Sequence, residues 1–171
     1  MLFKRYHIFP MIIGMKVQTR RIWKSRHVRV GHEYPVTHKM FYNPEDIVGY
    51  VRVNSVERIP LGVMTEDDAY AEGGYDLPSY YNVLSDISGE SKKYTPILKT
   101  TPVWVVKFTF RLSDMIDPNG GDWQKKIYYG EWVEHMKKYD RLVMPFSSQE
   151  EGGEWTPQWV VLPIQESGSY V

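Results

Sequence analysis

Short segments in which hydrophobic and polar residues alternate dominate the first 110 positions of the chain. Residues 30–38 alternate along their length, residues 47–58 are rich in valine, and residues 103–110 place valine and aromatic residues on one face. A period of two is the signature of a β-strand with one buried face. Gly49, inside the second segment, indicates a bend or a close approach of two backbones. The pattern therefore predicts three strands.

Two helices are predicted between the second and third strands. Thr65 is a good N-cap, and the acids at 66–68 suit the positive end of a helix dipole. Gly73 and Gly74 are suited to end this helix. A second helix is expected over residues 77–87, and residues 88–101 read as an exposed loop.

The chain changes character after residue 110. Residues 117–122 (DPNGGD) form a strong turn signal, residues 130–139 have a helical pattern, residues 145–157 read as a polar loop, and residues 158–164 read as a last strand. No segment is long enough to be an evident linker. We therefore expect an α+β fold in which residues 1–110 form a domain around a partly open barrel. Residues 111–171 would be an α/β extension packed on it.

Composition narrows the chemistry more than the fold. The 171 residues include no cysteine, which removes thiol nucleophiles, disulfides and cysteine metal sites. No apolar run approaches the roughly 20 residues that a membrane-spanning helix needs. We expect a cytoplasmic protein without a membrane partner, and the sequence leaves its oligomeric state open.

The net charge of zero hides an asymmetry. Residues 1–58 hold eleven lysines and arginines against four acids, a net charge of +7, and the remainder therefore carries −7. Such a division points either to an anionic ligand of the first half or to two halves that neutralise each other on contact.

The densest chemistry lies in residues 14–24 (GMKVQTRRIWK). Gly14 permits a left-handed turn that ends a preceding short helix. In an extended segment Thr19, Arg21 and Trp23 share one side, and an arginine beside a tryptophan suits a phosphate together with a stacked base. The same pattern also fits a solvated basic strand with Trp23 in the core.

These residues carry a family resemblance. The pattern G-x-K-x-x-x-x-R, present as Gly14, Lys16 and Arg21, resembles the signature of the ASCH domain family, whose members are related to the PUA RNA-binding barrel. Similar family segments follow in order at residues 30–31 (VG), 48–51 (VGYV), 64–73 (MTEDDAYAEG) and 102–108 (PVWVVKF). The resemblance covers residues 1–110, and His32 departs from the acid that many members have after the glycine.

The resemblance implies RNA association, and one branch of the family hydrolyses acetylcytidine with a lysine, a threonine and a glutamate. Lys16, Thr19 and Glu72 match that trio. Lysine could serve as the base that activates threonine only if its pKa fell from about 10.4 toward 7–8. Arginine neighbours would lower this pKa and a close Glu72 would raise it, and a plain Lys16–Glu72 ion pair remains an alternative.

The leading hypothesis is a cleft that binds RNA, a nucleoside or a nucleotide, with residues 16–24 as its floor and the helix of residues 65–74 as its lid. Amide hydrolysis of an acetylated cytosine nucleoside is the alternative, with Lys16, Thr19 and Glu72 as the catalytic groups. The residues expected to contact the ligand are Gly14, Arg20, Arg21, Trp23, Lys24 and Tyr34.

Weaker sequence patterns suggest other functions. His27, His32 and His38 could support ribonuclease chemistry, since paired imidazoles act as acid and base, but their spacing does not require it. Neither a metal site nor a cofactor is expected, because no ligand spacing or phosphate-binding glycine motif occurs. A protein-interaction role for the acidic C-terminal third is a further alternative.

Overall fold

The computed structural model describes residues 1–90, 97–116, 128–148 and 156–163. A 3₁₀ turn, Arg5–His7, runs directly into a short helix α1, Ile8–Ile12. Gly14 follows with φ +74°, the left-handed conformation that its lack of a side chain permits. The predicted end of a short helix at this glycine is confirmed.

The first part of the chain builds an antiparallel sheet from four described strands: β1 (Gln18–Arg21), β2 (Glu33–Val36), β3 (Gly49–Pro60) and β4 (Pro102–Leu112). Their order across the sheet is β1-β4-β3-β2. The three predicted strands are present, although β2 is shorter and β3 begins and ends two residues later than expected. Since β1 and β2 are edges, the described sheet is open, and closure into a partly open barrel stays a prediction.

Gly49 marks a close approach between β3 and β4. It pairs with Leu112, and a Cβ at this position would collide with the Arg111 carbonyl oxygen and the Phe110 ring. The ladder shifts register between Val53 and Ser55. The glycine is therefore required by the packing of the two longest strands, as the sequence indicated.

β4 has buried side chains on both sides between Val103 and Phe108. Phe108 packs on the side of Ile8 and Val51, as the alternation predicts. Val103 and Val105 are also buried, because they pack with the helices on the other side of the sheet. The strand is thus a central layer, which a simple in–out alternation does not predict.

The two predicted helices between β3 and β4 are present as α2 (Glu66–Ala71) and α3 (Leu77–Glu90). Thr65 caps α2, and Gly73 and Gly74 follow it with φ +135° and +91°. The loop expected over residues 88–101 begins later, since α3 continues to Glu90, and residues 91–96 lie outside the described residues. Within the described part of the chain, no helix combines the length and the hydrophobicity needed to span a bilayer.

The last part of the chain contains α4 (Tyr129–Lys137) and a hairpin of β5 (Arg141–Ser148) and β6 (Thr156–Pro163). The predicted helix and last strand are present, but the polar loop expected over 145–157 was wrong at its start, because β5 extends to Ser148. The Trp132 ring of α4 lies 5.3 Å from the Phe9 ring of α1 and is completely buried. The turn expected over 117–122 lies outside the described residues.

Candidate ligand-binding cleft

A cleft of about 360 Å³ lies between β1, the N-terminal segment and α3. β1 and its flanking residues supply the polar wall, and α3 supplies an opposite wall that is mainly apolar. The helix predicted as the lid, residues 65–74, is not among the lining residues, so that expectation was wrong, and α3 takes its place. The lining includes Lys16, Thr19, Arg20, Arg21, Trp23, Tyr80 and Leu84.

Lys16 lies at the buried end of the cleft, with 1% of its surface exposed. The turn at Gly14 brings the backbone N–H of Lys16 to the Pro10 carbonyl oxygen at 2.9 Å, which fixes the start of the segment. Its Nζ donates to Gln18 O at 3.1 Å, to Glu72 O at 2.7 Å and to Glu72 Oε2 at 3.2 Å. Three acceptors match the three protons of an ammonium group.

Glu72 is completely buried and binds two cations and a hydroxyl. Its Oε1 accepts from Arg20 Nη1 at 2.8 Å, and its Oε2 accepts from Tyr80 Oη at 2.7 Å as well as from Lys16. The residue sits at the C-cap of α2, so this helix end determines where the carboxylate lies. Because all its bonds are charge-assisted or to a buried hydroxyl, Glu72 organises the floor of the cleft.

Arg20 completes the charged cluster and, like Lys16, lines the cleft. Its Nη2 lies 3.4 Å from Asp68 Oδ2, so two cations and two carboxylates form a balanced set. Arg20 Nε is buried without an acceptor in the described part of the chain. Arg20 was predicted to contact the ligand. In the structure its guanidinium serves first as a partner of Glu72 and Asp68.

Burial shifts the acid–base behaviour of the cluster. It lowers the pKa of Lys16 below its ordinary value, while the Glu72 carboxylate acts in the opposite direction. Burial, followed by the negative charge of Glu72, raises the pKa of Tyr80 well above its ordinary value. The cleft floor therefore holds a lysine that burial pushes toward the neutral form and hydrogen bonding holds in the charged form.

Thr19 and Arg21 lie on the same side of β1, as the alternation predicted. Arg21 Nε donates to Thr19 Oγ1 at 3.2 Å, and Nη2 donates to Leu2 O at 2.7 Å. The guanidinium carbon stands 4.7 Å from the centre of the Phe3 ring. Within the described residues, no carboxylate forms an ion pair with Arg21. Its positive charge is thus available to a ligand in the cleft.

The other predicted contacts divide between the cleft and the surface. Trp23 lines the cleft, and its carbonyl oxygen accepts from Trp104 Nε1 at 3.2 Å. Lys24 is exposed and does not line the cleft, and neither does Gly14. Tyr34 also lies elsewhere, and its hydroxyl accepts from the Arg29 backbone N–H at 2.9 Å.

Several lining residues were missed by the sequence reasoning. One face of α3 was predictable from the spacing of its residues, because positions i, i+4 and i+7 are occupied by Tyr80, Leu84 and Ile87. His7 had none, because it lies in a short 3₁₀ turn without periodicity. Of the three histidines considered, His38 lines the cleft and His27 and His32 do not. No group of three potential metal ligands occurs in the described ranges.

Comparison with known proteins gives one kind of match. No family model matches the chain, and no curated protein matches it. The chain is similar in structure to an ASCH domain from Lactobacillus crispatus JV V101, with a TM-score of 0.46, 17% identity, and coverage of 61% of this chain and 69% of the other. It is also similar to protein EF3133 from Enterococcus faecalis V583, of the family model DUF984, with a TM-score of 0.46, 15% identity and coverage of 65% and 73%. ASCH is the family whose motifs the first 110 residues resemble.

Proposed function

We propose that the cleft binds one nucleotide unit, either as a free nucleotide or as a residue of RNA. The observation that carries this proposal is that Arg21, whose Nε donates to the Thr19 hydroxyl, and Trp23 line the same cleft. A guanidinium can form two parallel hydrogen bonds to phosphate oxygens, and a nucleobase can stack on an indole ring. The motif resemblance agrees, since members of the ASCH family are regarded as RNA-associated.

The size of the cleft supports a single unit. Its volume of about 360 Å³ is near the lower end of the roughly 300–1,000 Å³ that small-molecule sites occupy. The apolar wall of Leu84 and Ile87 would cover a base, while the polar wall of β1 would bind phosphate and ribose. A ligand of this kind uses both walls, whereas a purely apolar ligand would leave Arg21 desolvated without a counter-charge.

The test is a titration of the protein with cytidine, with cytidine monophosphate and with a short single-stranded RNA. We expect Arg21→Gln to weaken binding of the monophosphate by about 10- to 100-fold, which is the loss of one charge-assisted pair, and to change cytidine binding much less. Arg52→Gln is the matched control, because Arg52 is exposed on β3 and lies outside the cleft. Equal losses in the two variants, or no binding of any of the three ligands, would contradict the proposal.

A second candidate is hydrolysis of the acetyl amide of an acetylated cytosine nucleoside. Two observations favour it: Lys16 and Thr19 line the same cleft, and Lys16 Nζ lies 3.2 Å from Glu72 Oε2. Thr19 Oγ1 would attack the acetyl carbon and give its proton to a neutral Lys16. That proton would then pass to the leaving cytosine nitrogen. Water would cleave the acyl-threonine to acetate and restore the hydroxyl.

The contacts of Lys16, Thr19 and Glu72 set the conditions for this hydrolysis. Arg21 Nε donates to Thr19 Oγ1, which leaves the hydroxyl proton for the base and stabilises the oxygen as negative charge develops. Lys16 must lose one of its three donated hydrogen bonds before it can accept a proton. Burial favours that neutral form, and Glu72 opposes it.

Release of cytidine and acetate from N4-acetylcytidine tests the second candidate. Thr19→Val keeps the shape of the side chain and removes the hydroxyl, so we expect it to abolish turnover. Thr19→Ser keeps the nucleophile and should retain measurable activity. Full turnover in Thr19→Val would refute the role of Thr19 even though hydrolysis occurred. Binding of cytidine monophosphate without any hydrolysis would leave the first proposal standing alone.

A further inference from the structure

A buried tyrosine hydroxyl lies between two histidines behind the cleft. Tyr75 Oη is 2.8 Å from His7 Nε2 and 2.8 Å from His135 Nε2. The three side chains come from different elements: the 3₁₀ turn before α1, the connection between α2 and α3, and α4. All three residues are buried, with 6%, 1% and 7% of their surface exposed for His7, Tyr75 and His135.

The chemistry of these groups fixes how the protons are arranged. A hydroxyl carries one proton, so Tyr75 donates to one imidazole nitrogen and accepts an N–H from the other. One histidine must then carry its proton on Nε2 and the other on Nδ1. The two neutral histidines are therefore required to be opposite tautomers, and reversal of the Tyr75 hydroxyl exchanges their roles.

The cluster extends from the cleft to the buried side of α4. His7 lines the cleft, and since its Nε2 faces Tyr75, the nitrogen that remains for a cleft ligand is Nδ1. His135 lies in the last turn of α4, stacked on Tyr6 with ring centres 3.6 Å apart and planes 5° from parallel. We propose that His7, Tyr75 and His135 form a proton relay between the cleft and the α4 side of the molecule.

The relay conserves protons at every atom. His7 Nδ1 takes a proton from a group in the cleft, and His7 Nε2–H passes its proton to the Tyr75 oxygen. Tyr75 passes its own hydroxyl proton to His135 Nε2, and His135 Nδ1–H releases a proton to water. The reverse sequence supplies a proton to the cleft. One proton crosses the molecule in either direction, and each residue ends neutral.

The surroundings keep the relay uncharged. Burial lowers the pKa of His7 well below its ordinary value, assisted by the positive charges of Lys16, Arg21 and Lys4. Burial also lowers the pKa of His135 to about 4, with Lys138 acting in the same direction and Asp86 in the opposite one. Tyr75 is flanked by Tyr6, Tyr139 and Glu72, and its pKa is raised well above its ordinary value, first by burial. Both histidines are thus neutral at pH 7.

Nitrogen-15 NMR of the histidine side chains in the full chain tests the relay directly, with no ligand required. In the wild-type protein at pH 7 we expect one of the two histidines to be protonated on Nε2 and the other on Nδ1. On acidification, protonation of the Nδ1–H histidine must reverse the Tyr75 hydroxyl. The tautomer of its partner should therefore switch from Nε2–H to Nδ1–H at the same pH midpoint.

Tyr75→Phe removes the hydroxyl and keeps the ring, so it should abolish the coupled change. Tyr139→Phe is the matched control, because the Tyr139 ring lies 5.1 Å from that of His135 and its hydroxyl instead donates to Asp86. Coupling should survive in the control. Identical tautomers of His7 and His135 in the wild type, a wild-type titration without the switch, or coupling that persists in Tyr75→Phe would overturn the proposal. The wild-type measurement decides the question even if Tyr75→Phe does not fold.

Discussion

The buried carboxylate of Glu72 determines the geometry of the cleft floor. Lys16 depends on it for a counter-charge, Arg20 pairs with it as well as with Asp68, and Tyr80 donates its hydroxyl proton to it. Charges removed from water are tolerated only when they are paired and hydrogen-bonded. The floor is therefore a unit in which the removal of one member leaves the others in an unfavourable state.

Glu72→Gln should destabilise the protein by about 3–5 kcal/mol, because it leaves the buried Lys16 with a neutral partner and Arg20 with Asp68 alone. Urea unfolding of the wild type and the variant measures the difference. Glu57→Gln, an exposed carboxylate on β3, serves as the control and should change stability by less than about 0.5 kcal/mol. Adding Lys16→Met to Glu72→Gln should recover part of the loss. A loss below about 1 kcal/mol in Glu72→Gln would show that the cluster is solvated.

The burial of His7 and His135 should make the stability of the protein depend on pH. The pKa of each is lowered in the folded state, that of His135 to about 4, against about 6.5 in the unfolded chain. Between these values the unfolded chain binds more protons, so the free energy of unfolding falls as the pH decreases. The contribution is complete above about pH 6.5, and each histidine contributes a slope of about 1.4 kcal/mol per pH unit between its two pKa values.

Urea unfolding at several pH values between 7 and 4 measures this slope. His135→Gln should reduce the slope by about 1.4 kcal/mol per pH unit, the amount that corresponds to one bound proton. His32→Gln, an exposed histidine, should leave the slope unchanged. A slope in His135→Gln equal to that of the wild type would mean that other groups cause the loss of stability in acid.

Residue chemistry was only partly readable from the sequence. The proximity of Lys16 and Glu72 was predicted through a motif, because residue types at fixed spacing carry that information. The pairing of Arg20 with Glu72 was not predicted, since it depends on which face of β1 meets the end of α2. His7 was missed because a histidine in an aperiodic turn gives no signal of its burial.

At the scale of elements, α2 positions Glu72 through its two ends. Thr65 Oγ1 accepts from the Asp68 backbone N–H at 3.2 Å, and Asp68 Oδ2 accepts from the Thr65 backbone N–H at 3.0 Å. This reciprocal pair is a capping box. A helix of six residues has little intrinsic stability, so its caps and contacts hold the Glu72 end in place.

Thr65→Ala should lower stability by about 1 kcal/mol, the usual value of an N-cap side chain. Thermal unfolding measures it, and Thr65→Ser, which keeps the oxygen, should remain close to the wild type. Because the cap lies at the opposite end of α2 from Glu72, binding of cytidine monophosphate should change by less than tenfold. A large loss of binding with unchanged stability would indicate that Thr65 contacts the ligand.

Elements were more predictable than their arrangement. Local signals sufficed for the caps of α2, the glycine that follows α1 and the alternating strands. The order β1-β4-β3-β2 and the double burial of β4 depend on which helices cover each side of the sheet. The α3 wall of the cleft was missed for the same reason, since the choice between α2 and α3 as cover is made by tertiary packing.

At the scale of the whole molecule, the positive charge of the first 58 residues is opposed by the negative charge of the remainder. Part of the +7 of residues 1–58 is neutralised by the second half, because Lys16 and Arg20 pair with Glu72, and Arg5 lies 3.5 Å from Glu131. Arg21 remains without an ion pair among the described residues, and it faces the cleft. The asymmetry is therefore explained in part by contact between the halves, and the proposed nucleotide site would use the remaining charge of Arg21.

A small site predicts a shallow dependence of binding on salt. Each phosphate neutralised on a single strand contributes a slope of about −0.7 to the logarithm of the binding constant against the logarithm of salt concentration. If only the cleft binds, cytidine monophosphate and a twelve-nucleotide RNA should both give slopes near that of one contact. Measurement at three salt concentrations with wild type and Arg21→Gln checks this, and the variant should lose most of the slope. A steeper slope for the longer RNA, equal to several phosphate contacts, would mean that the RNA also binds a second face. Exposed basic residues such as Arg52, Arg58 and Lys107 could form that face. The proposal of a single-nucleotide cleft would then be wrong for RNA.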